Sequence, residues 1–161
     1  MDPINSLQPE LFADQNDLFF NISLDMLCIA SLDGYFKKVN PAFEKILGYT
    51  QQELLARPFV SFVHPDDRLA TIREMEKLSQ GIDSIHFENR YLCKNGQYKW
   101  LAWTCPAPKS KEEFLYAIAR DLTEFKRATE ALKESEGKLR EQTRNLERKN
   151  TALNEILAQI D

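Results

Sequence analysis

The chain has 161 residues, is 43% apolar and carries a formal charge of -4. That suits one globular domain of ordinary size plus an extension. The mild acidic balance argues against a nucleic-acid surface, which needs clustered Lys and Arg to neutralise phosphates. The opening residues, MDPINSLQPE, lack the basic start and apolar run of a signal peptide. No stretch reaches the roughly 18 apolar residues of a membrane span. A cytoplasmic chain with no membrane partner is therefore expected. Cys28, Cys93 and Cys105 are odd in number and lack CxxC spacing, so they read as reduced thiols.

Residues 9–23 predict an amphipathic helix, with Leu11, Phe12, Leu18, Phe19 and Ile22 gathered on one side. Pro9 fits its first turn. Next, LCIASLDGYFKKVN reads as two short strands about Asp33-Gly34. PAFEKILGY opens on Pro41 and stops at Gly48, a short helix. TQQELLAR begins with Thr50 and carries Glu53 three residues on, a capping box. HPDDRLATIREMEKLSQG starts with Asp66 or Asp67 as cap and ends before Gly81, and Leu69, Ile72, Met75 and Leu78 form its apolar stripe. Two strands about Asn95-Gly96 follow, HFENRYLCKNGQYKWLAWTCPAP, and then a last strand, FLYAIARD. The order β-β-α-α-α-β-β-β, with helices at both ends, predicts an α+β fold on an antiparallel sheet.

The hairpin about Asn95-Gly96 permits two registers. A two-residue turn pairs odd positions with even ones; a three-residue turn with Gly96 left-handed pairs odd with odd. Glu88 and Arg90 mark the wet side of its first strand, which turns Phe87, Asn89 and Tyr91 inward. On the second strand the inward set is Leu101, Trp103 and Cys105 or else Trp100, Ala102 and Thr104, because a one-residue slip exchanges the faces.

From Lys126 to Asp161 there is no proline or aromatic residue and a single glycine, while 15 of the 36 residues are charged. Leucine recurs every seventh residue at Leu132, Leu139, Leu146 and Leu153, with Phe125 before and Ile160 after. With these at d, the a row holds Leu122, Thr129, Glu136, Thr143, Asn150 and Leu157. A sustained heptad predicts a coiled coil, and Asn at one a position is tolerated in a parallel dimer because the two amides bond across the seam. Glu136-Gly137 is its weak step. The organisation expected is a cap helix over 1–24, a domain over 25–125 and a coiled-coil helix over 126–161.

The segment DGYFKKVNPAFEKILGYTQQELLARPFVSFVHPDD, followed by FENRYLCKNGQYKWLAW and ARDLTEFKRATEAL, resembles a PAS domain of the type found in bacterial multi-domain sensor histidine kinases. The resemblance implies a five-stranded antiparallel sheet in the order 2-1-5-4-3, with short helices cupped over one face. PAS hairpins of this kind carry the bulge, which selects Leu101, Trp103 and Cys105 as inward. Asp121-Leu122-Thr123 matches the Asp-X-Thr element that ends many PAS cores and begins their output helices.

Cofactor chemistry known in PAS domains can be tested residue by residue. LOV-type flavin chemistry needs a cysteine where this chain has Phe59, and three amide side chains where it has Tyr91, Leu101 and Ala119. Haem needs an axial histidine on the long helix, and Arg68 to Leu78 contains none. His64 and His86 read as a loop histidine and a wet-side strand residue, with no metal-ligand spacing. No flavin, haem or metal is expected. An unidentified small molecule fits the expected inward set of Phe43, Leu47, Phe59, Phe62, Ile72, Met75, Tyr91, Leu101, Trp103, Cys105, Ala117 and Ala119, with Tyr91 and the Trp103 indole as polar handles. A filled aromatic core fits the same set.

No Gly-rich phosphate loop, nucleophile–base grouping, phospho-accepting histidine motif or nucleotide-binding motif is present, so the chain itself is not expected to be an enzyme. The expectation is a sensory and dimerisation module. Its Leu/Phe cap helix buries on the outer sheet face or on a partner's helix. Asp121, with Leu122 and Thr123, anchors the last strand to Arg90 or Lys99 and leads into the heptad. A homodimer is expected through Leu11, Phe12, Leu18 and Phe19, through Leu132, Leu139, Leu146, Asn150, Leu153 and Ile160, or through both. The chain stops inside the heptad pattern, so an effector is expected to follow: a histidine kinase, a diguanylate cyclase or a LuxR-type regulator. A ligand-free structural adaptor is the third reading.

Overall fold

The structure is a computed structural model that describes residues 17–109 and 114–160. Leu11 and Phe12 of the N-terminal helix lie outside the described residues. Residues 17–22 are helical and are designated α1. Its Leu18, Phe19 and Ile22 are all more than half exposed, so within the chain this face is not laid on the sheet. Asn40 explains the placement. Its Oδ1 accepts the Leu27 N–H at 3.0 Å, and its Nδ2 donates to the carbonyls of Phe20 at 3.1 Å and Asp25 at 3.0 Å. A buried amide is thereby satisfied while α1 is held beside the first strand.

Five strands form one antiparallel sheet: β1 (Met26–Ser31), β2 (Phe36–Val39), β3 (Ser84–Leu92), β4 (Tyr98–Cys105) and β5 (Phe114–Asp121), ordered β2-β1-β5-β4-β3. This is the order implied by the resemblance. Between β2 and β3 lie α2 (Pro41–Leu47), α3 (Gln51–Leu55), two 3₁₀ turns (Phe59–Phe62 and Pro65–Asp67) and α4 (Arg68–Ser79). Gly48 closes α2 in the left-handed conformation, φ +81°. The Thr50–Glu53 capping box opens α3. Asp67 stands at the N-cap of α4 but makes no side-chain cap bond; its carboxylate is engaged elsewhere.

The β3–β4 hairpin pairs Asn89 with Leu101 and Tyr91 with Lys99, odd with odd. Gly96, at φ +86°, supplies the left-handed residue the three-residue turn requires. At the far end the register shifts between Ile85 and Phe87, and the extra residue, His86, sits at φ +57°. Phe87, Asn89, Tyr91, Leu101, Trp103 and Cys105 accordingly share the inner face.

One helix phase differs from expectation. Ile72 is 46% exposed, and Leu69 is also exposed. Helix α4 faces the sheet through Thr71, Met75 and Leu78 instead. The Thr71 hydroxyl donates to the Asp67 carbonyl at 2.8 Å and accepts from Asn89 Nδ2 at 3.0 Å, a polar anchor that turns Thr71 toward the sheet.

The chain divides into two compact units after Thr123. The second begins at Glu124 and is made by the helix α5 (Thr123–Leu157), on which Leu132, Leu139, Leu146 and Leu153 remain exposed, as do Ile160 just beyond it and Asn150. Among the described residues no helix is long and apolar enough to cross a membrane, and no group of three or more His, Cys, Asp or Glu is placed to hold a metal.

Candidate functional site: a cavity over the inner sheet face

The concave face of the sheet and helix α4 flank a half-open cavity of about 70 Å³. That is below the roughly 300–1,000 Å³ of a drug-sized ligand site, but it exceeds the ~30 Å³ share of a liquid water. Of the expected inward residues, Phe59, Met75, Tyr91, Trp103, Cys105 and Ala117 line it. Phe43, Leu47, Phe62, Leu101 and Ala119 are buried in the surrounding core and do not line it. Ile72 faces away. The expected set thus separates into wall, packing and surface.

The cavity also has a polar element that amphipathic spacing does not reveal. The Trp103 indole donates to Asn89 Oδ1 at 2.9 Å, and Asn89 Nδ2 donates to the Thr71 hydroxyl at 3.0 Å. Trp103 is therefore not a free handle; its donor is spent on Asn89. A single Asn on the inner side of a β-strand was the available signal, since a buried amide must find partners. Tyr91 is 2% exposed, lines the cavity and packs its ring against Trp103. Burial, with Cys28 nearby, pushes the Tyr91 phenol far up, so it stays a proton donor.

Both cavity thiols are electrostatically quiet. Burial, followed by the neighbouring Cys105, drives Cys28 far above an ordinary thiol, and burial with Asp83 pushes Cys105 up to about 11. At the rim, burial raises Glu74, but the bonds from Lys77, at 2.8 Å, and Ser84 outweigh it and hold the carboxyl low.

Arg90 is not the partner of Asp121. It forms a bidentate pair with Asp67, Nε to Oδ2 at 2.8 Å and Nη2 to Oδ1 at 2.7 Å, and its guanidinium stacks 5.2 Å from the Trp100 ring. The Arg90 bonds hold the Asp67 carboxyl below its usual range. Lys99 takes the place beside Asp121, with Nζ 2.9 Å from Oδ2. Asp121 Oδ1 accepts from the Thr123 N–H at 2.9 Å and from its hydroxyl at 2.6 Å. Thr123 Oγ1 accepts the Trp100 N–H at 3.0 Å, and Leu122 N–H donates to the Trp100 carbonyl at 2.8 Å. The end of β5 is thus laced to β4 where α5 begins.

A family model described as PAS fold matches residues 36–119, and the chain belongs to that family. It is 32% identical over 104 residues to the sensor histidine kinase TmoS of Ectopseudomonas mendocina, covering 62% of this chain and 11% of that protein. It is 30% identical over 105 residues to the probable diguanylate cyclase DgcE of Escherichia coli K12, covering 63% of this chain and 10% of that protein. The chain spans about a tenth of the length of these curated relatives. Among solved structures, the PAS domain of an HTR-like protein from Haloarcula marismortui superposes with a TM-score of 0.63 at 23% identity, covering 74% of this chain and 99% of that one. The Drosophila melanogaster Cycle PAS-B domain with bound ethylene glycol superposes at 0.52, with 23% identity, over 60% of this chain and 96% of that one. These likenesses concern the fold.

Proposed function

We propose that this chain is a non-catalytic sensory and dimerisation module that relays a change in its PAS unit through the C-terminal helix to an effector, a histidine kinase of a two-component system. The observation that carries this reading is the lacing of Asp121 and Thr123 to Lys99 and Trp100 at the last turn before α5. A shift of β4 against β5 has to be accommodated there, at the root of the helix. The heptad leucines are exposed in the single chain, and a second copy of α5 is the surface that would bury them. The weak a row, Thr129, Glu136 and Thr143, suits a seam with two packings of similar energy that a small input can bias.

The likeness to a sensor histidine kinase over the PAS unit supports the kinase output, and the likeness to a diguanylate cyclase supports the second reading, in which the same module drives that output. Hydrogen–deuterium exchange on the dimer, with and without stimulus, tests the relay. Changed protection in residues 119–145 is expected, and no change would count against it. The residues after Asp161 in the parent gene separate the two outputs.

A further inference from the structure

We infer that Glu136 makes the coiled-coil seam acid-responsive. In a parallel, in-register pair of α5 helices its carboxylate meets the partner's Glu136, and one proton shared between the two tightens the dimer. The inference rests on the α5 dimer proposed above and names one input that biases its packing.

The a row carries the argument, because its other polar members are satisfied when the seam closes. The Thr129 hydroxyl donates to the Phe125 carbonyl at 2.8 Å, and the Thr143 hydroxyl to the Leu139 carbonyl at 3.0 Å, so both are matched inside their own helix. Two Asn150 amides bond each other across a parallel seam, and they do so only in register. A slip of one heptad would set Asn150 against Thr143 or Leu157. The register that satisfies Asn150 therefore brings the two Glu136 side chains together in the layer between Leu132 and Leu139. Two carboxylates sharing one site repel, and the pair holds a proton that separate carboxylates release. On its own helix, Glu136 has Lys133 three positions before it and Arg140 four positions after it, both in the e row at the rim of the seam. The ion pairs formed along α5 join other side chains, Lys138 to Glu134 at 2.7 Å and Arg127 to Glu124 at 2.8 Å. Across the seam, an a side chain faces the g and a positions of its own layer and the d position on either side. For Glu136 those are Ser135, Glu136, Leu132 and Leu139 of the second copy, and only Glu136 among them is charged. Gly137 adds to the weakness of this step, since a glycine inside a helix is less favourable than alanine and no atom lies within 4 Å of where its Cβ would stand. The proton balance sets the sign. The dimer takes up a proton that two separate chains do not hold, so association strengthens as pH falls.

The test is sedimentation equilibrium of the full chain at about pH 7.5 and at about pH 5, both above the ordinary carboxylate range of roughly 3.9–4.3. The wild type is compared with Glu136→Gln, which keeps the size of the side chain and drops its charge. The wild-type dimer should tighten about 5–20-fold at the lower pH, the yield of one proton taken up on pairing. Glu136→Gln should reach that tighter affinity at the higher pH already and change by less than about twofold between the two. His64 and His86 are common to both proteins, so any contribution of theirs cancels in the comparison. A wild-type dimer of unchanged affinity overturns the inference and leaves the α5 dimer standing. So does a Glu136→Gln chain that keeps the wild-type pH dependence, or that associates no better than the wild type at the higher pH. Monomers of both proteins at both pH values overturn the inference and the dimer together.

Discussion

Trp103 and Asn89 are diagonal neighbours on adjacent strands, and the indole N–H meets the amide oxygen at 2.9 Å with both side chains buried. The pair joins the cavity wall to helix α4, because Asn89 also donates to Thr71. Asn89→Leu strands the Trp103 donor and removes the Thr71 contact. A loss of about 1–3 kcal/mol per stranded group is expected, read as a lower urea midpoint at unchanged m. Combining it with Trp103→Phe should recover part of that loss. Strict additivity of the two substitutions would mean the bond is not coupled.

The Asp67–Arg90 pair predicts a particular acid response. Because the folded carboxyl is held below its unfolded value of about 3.9, its contribution is full above that pH and is lost as pH falls through the lower, folded value. Asp67→Asn should therefore lower stability at neutral pH and flatten its fall below about pH 4. An unaltered acid limb in a pH series of urea midpoints would show that Asp67 does not contribute it.

At the root of α5, Asp121→Ala removes the partner of Lys99 and both bonds to Thr123. Faster amide exchange at Thr123 and Trp100 is expected, with a loss of about 1–3 kcal/mol. Unchanged exchange at both amides would mean the lacing is dispensable.

In the tail, Leu139→Lys with Leu146→Lys places charge in the d row and should turn a dimer into a monomer by sedimentation equilibrium. A dimer that persists would move the interface to the PAS unit.

The three cysteines are buried, and burial raises each thiol above its ordinary value. With Cys105 at about 11, roughly one molecule in a thousand carries its thiolate at pH 8. Ellman's reagent should find almost no reactive thiol in the native chain and three in denaturant. A fast native reaction would contradict the burial.

Strand alternation, the Gly48 stop, the Thr50–Glu53 box and the charged side of β3 are local signals, and they led to the sheet and its inner face. Choosing between the hairpin registers needed the resemblance as well, since residue alternation fits both. The phase of α4 was not legible, because four apolar residues at helical spacing say nothing of Thr71, whose position is set by Asn89 eighteen residues on. The choice between Arg90 and Lys99 as the partner of Asp121 stayed open for a similar reason. Both Asp67 and Asp121 are distant in sequence, and only the fold decides which of them lies beside the guanidinium. Asn40 gave no sign at all of its backbone partners Phe20, Ser23, Asp25 and Leu27.

That last side chain has a mechanical consequence. Asn40 rivets α1, the lead into β1 and the start of α2 at one buried point. A torque applied from upstream on α1 therefore loads β1, which lies directly against β5. The sheet can be strained from its N-terminal side with the cavity empty. In a chain of serially joined modules, each unit would then transmit the motion of the one before it.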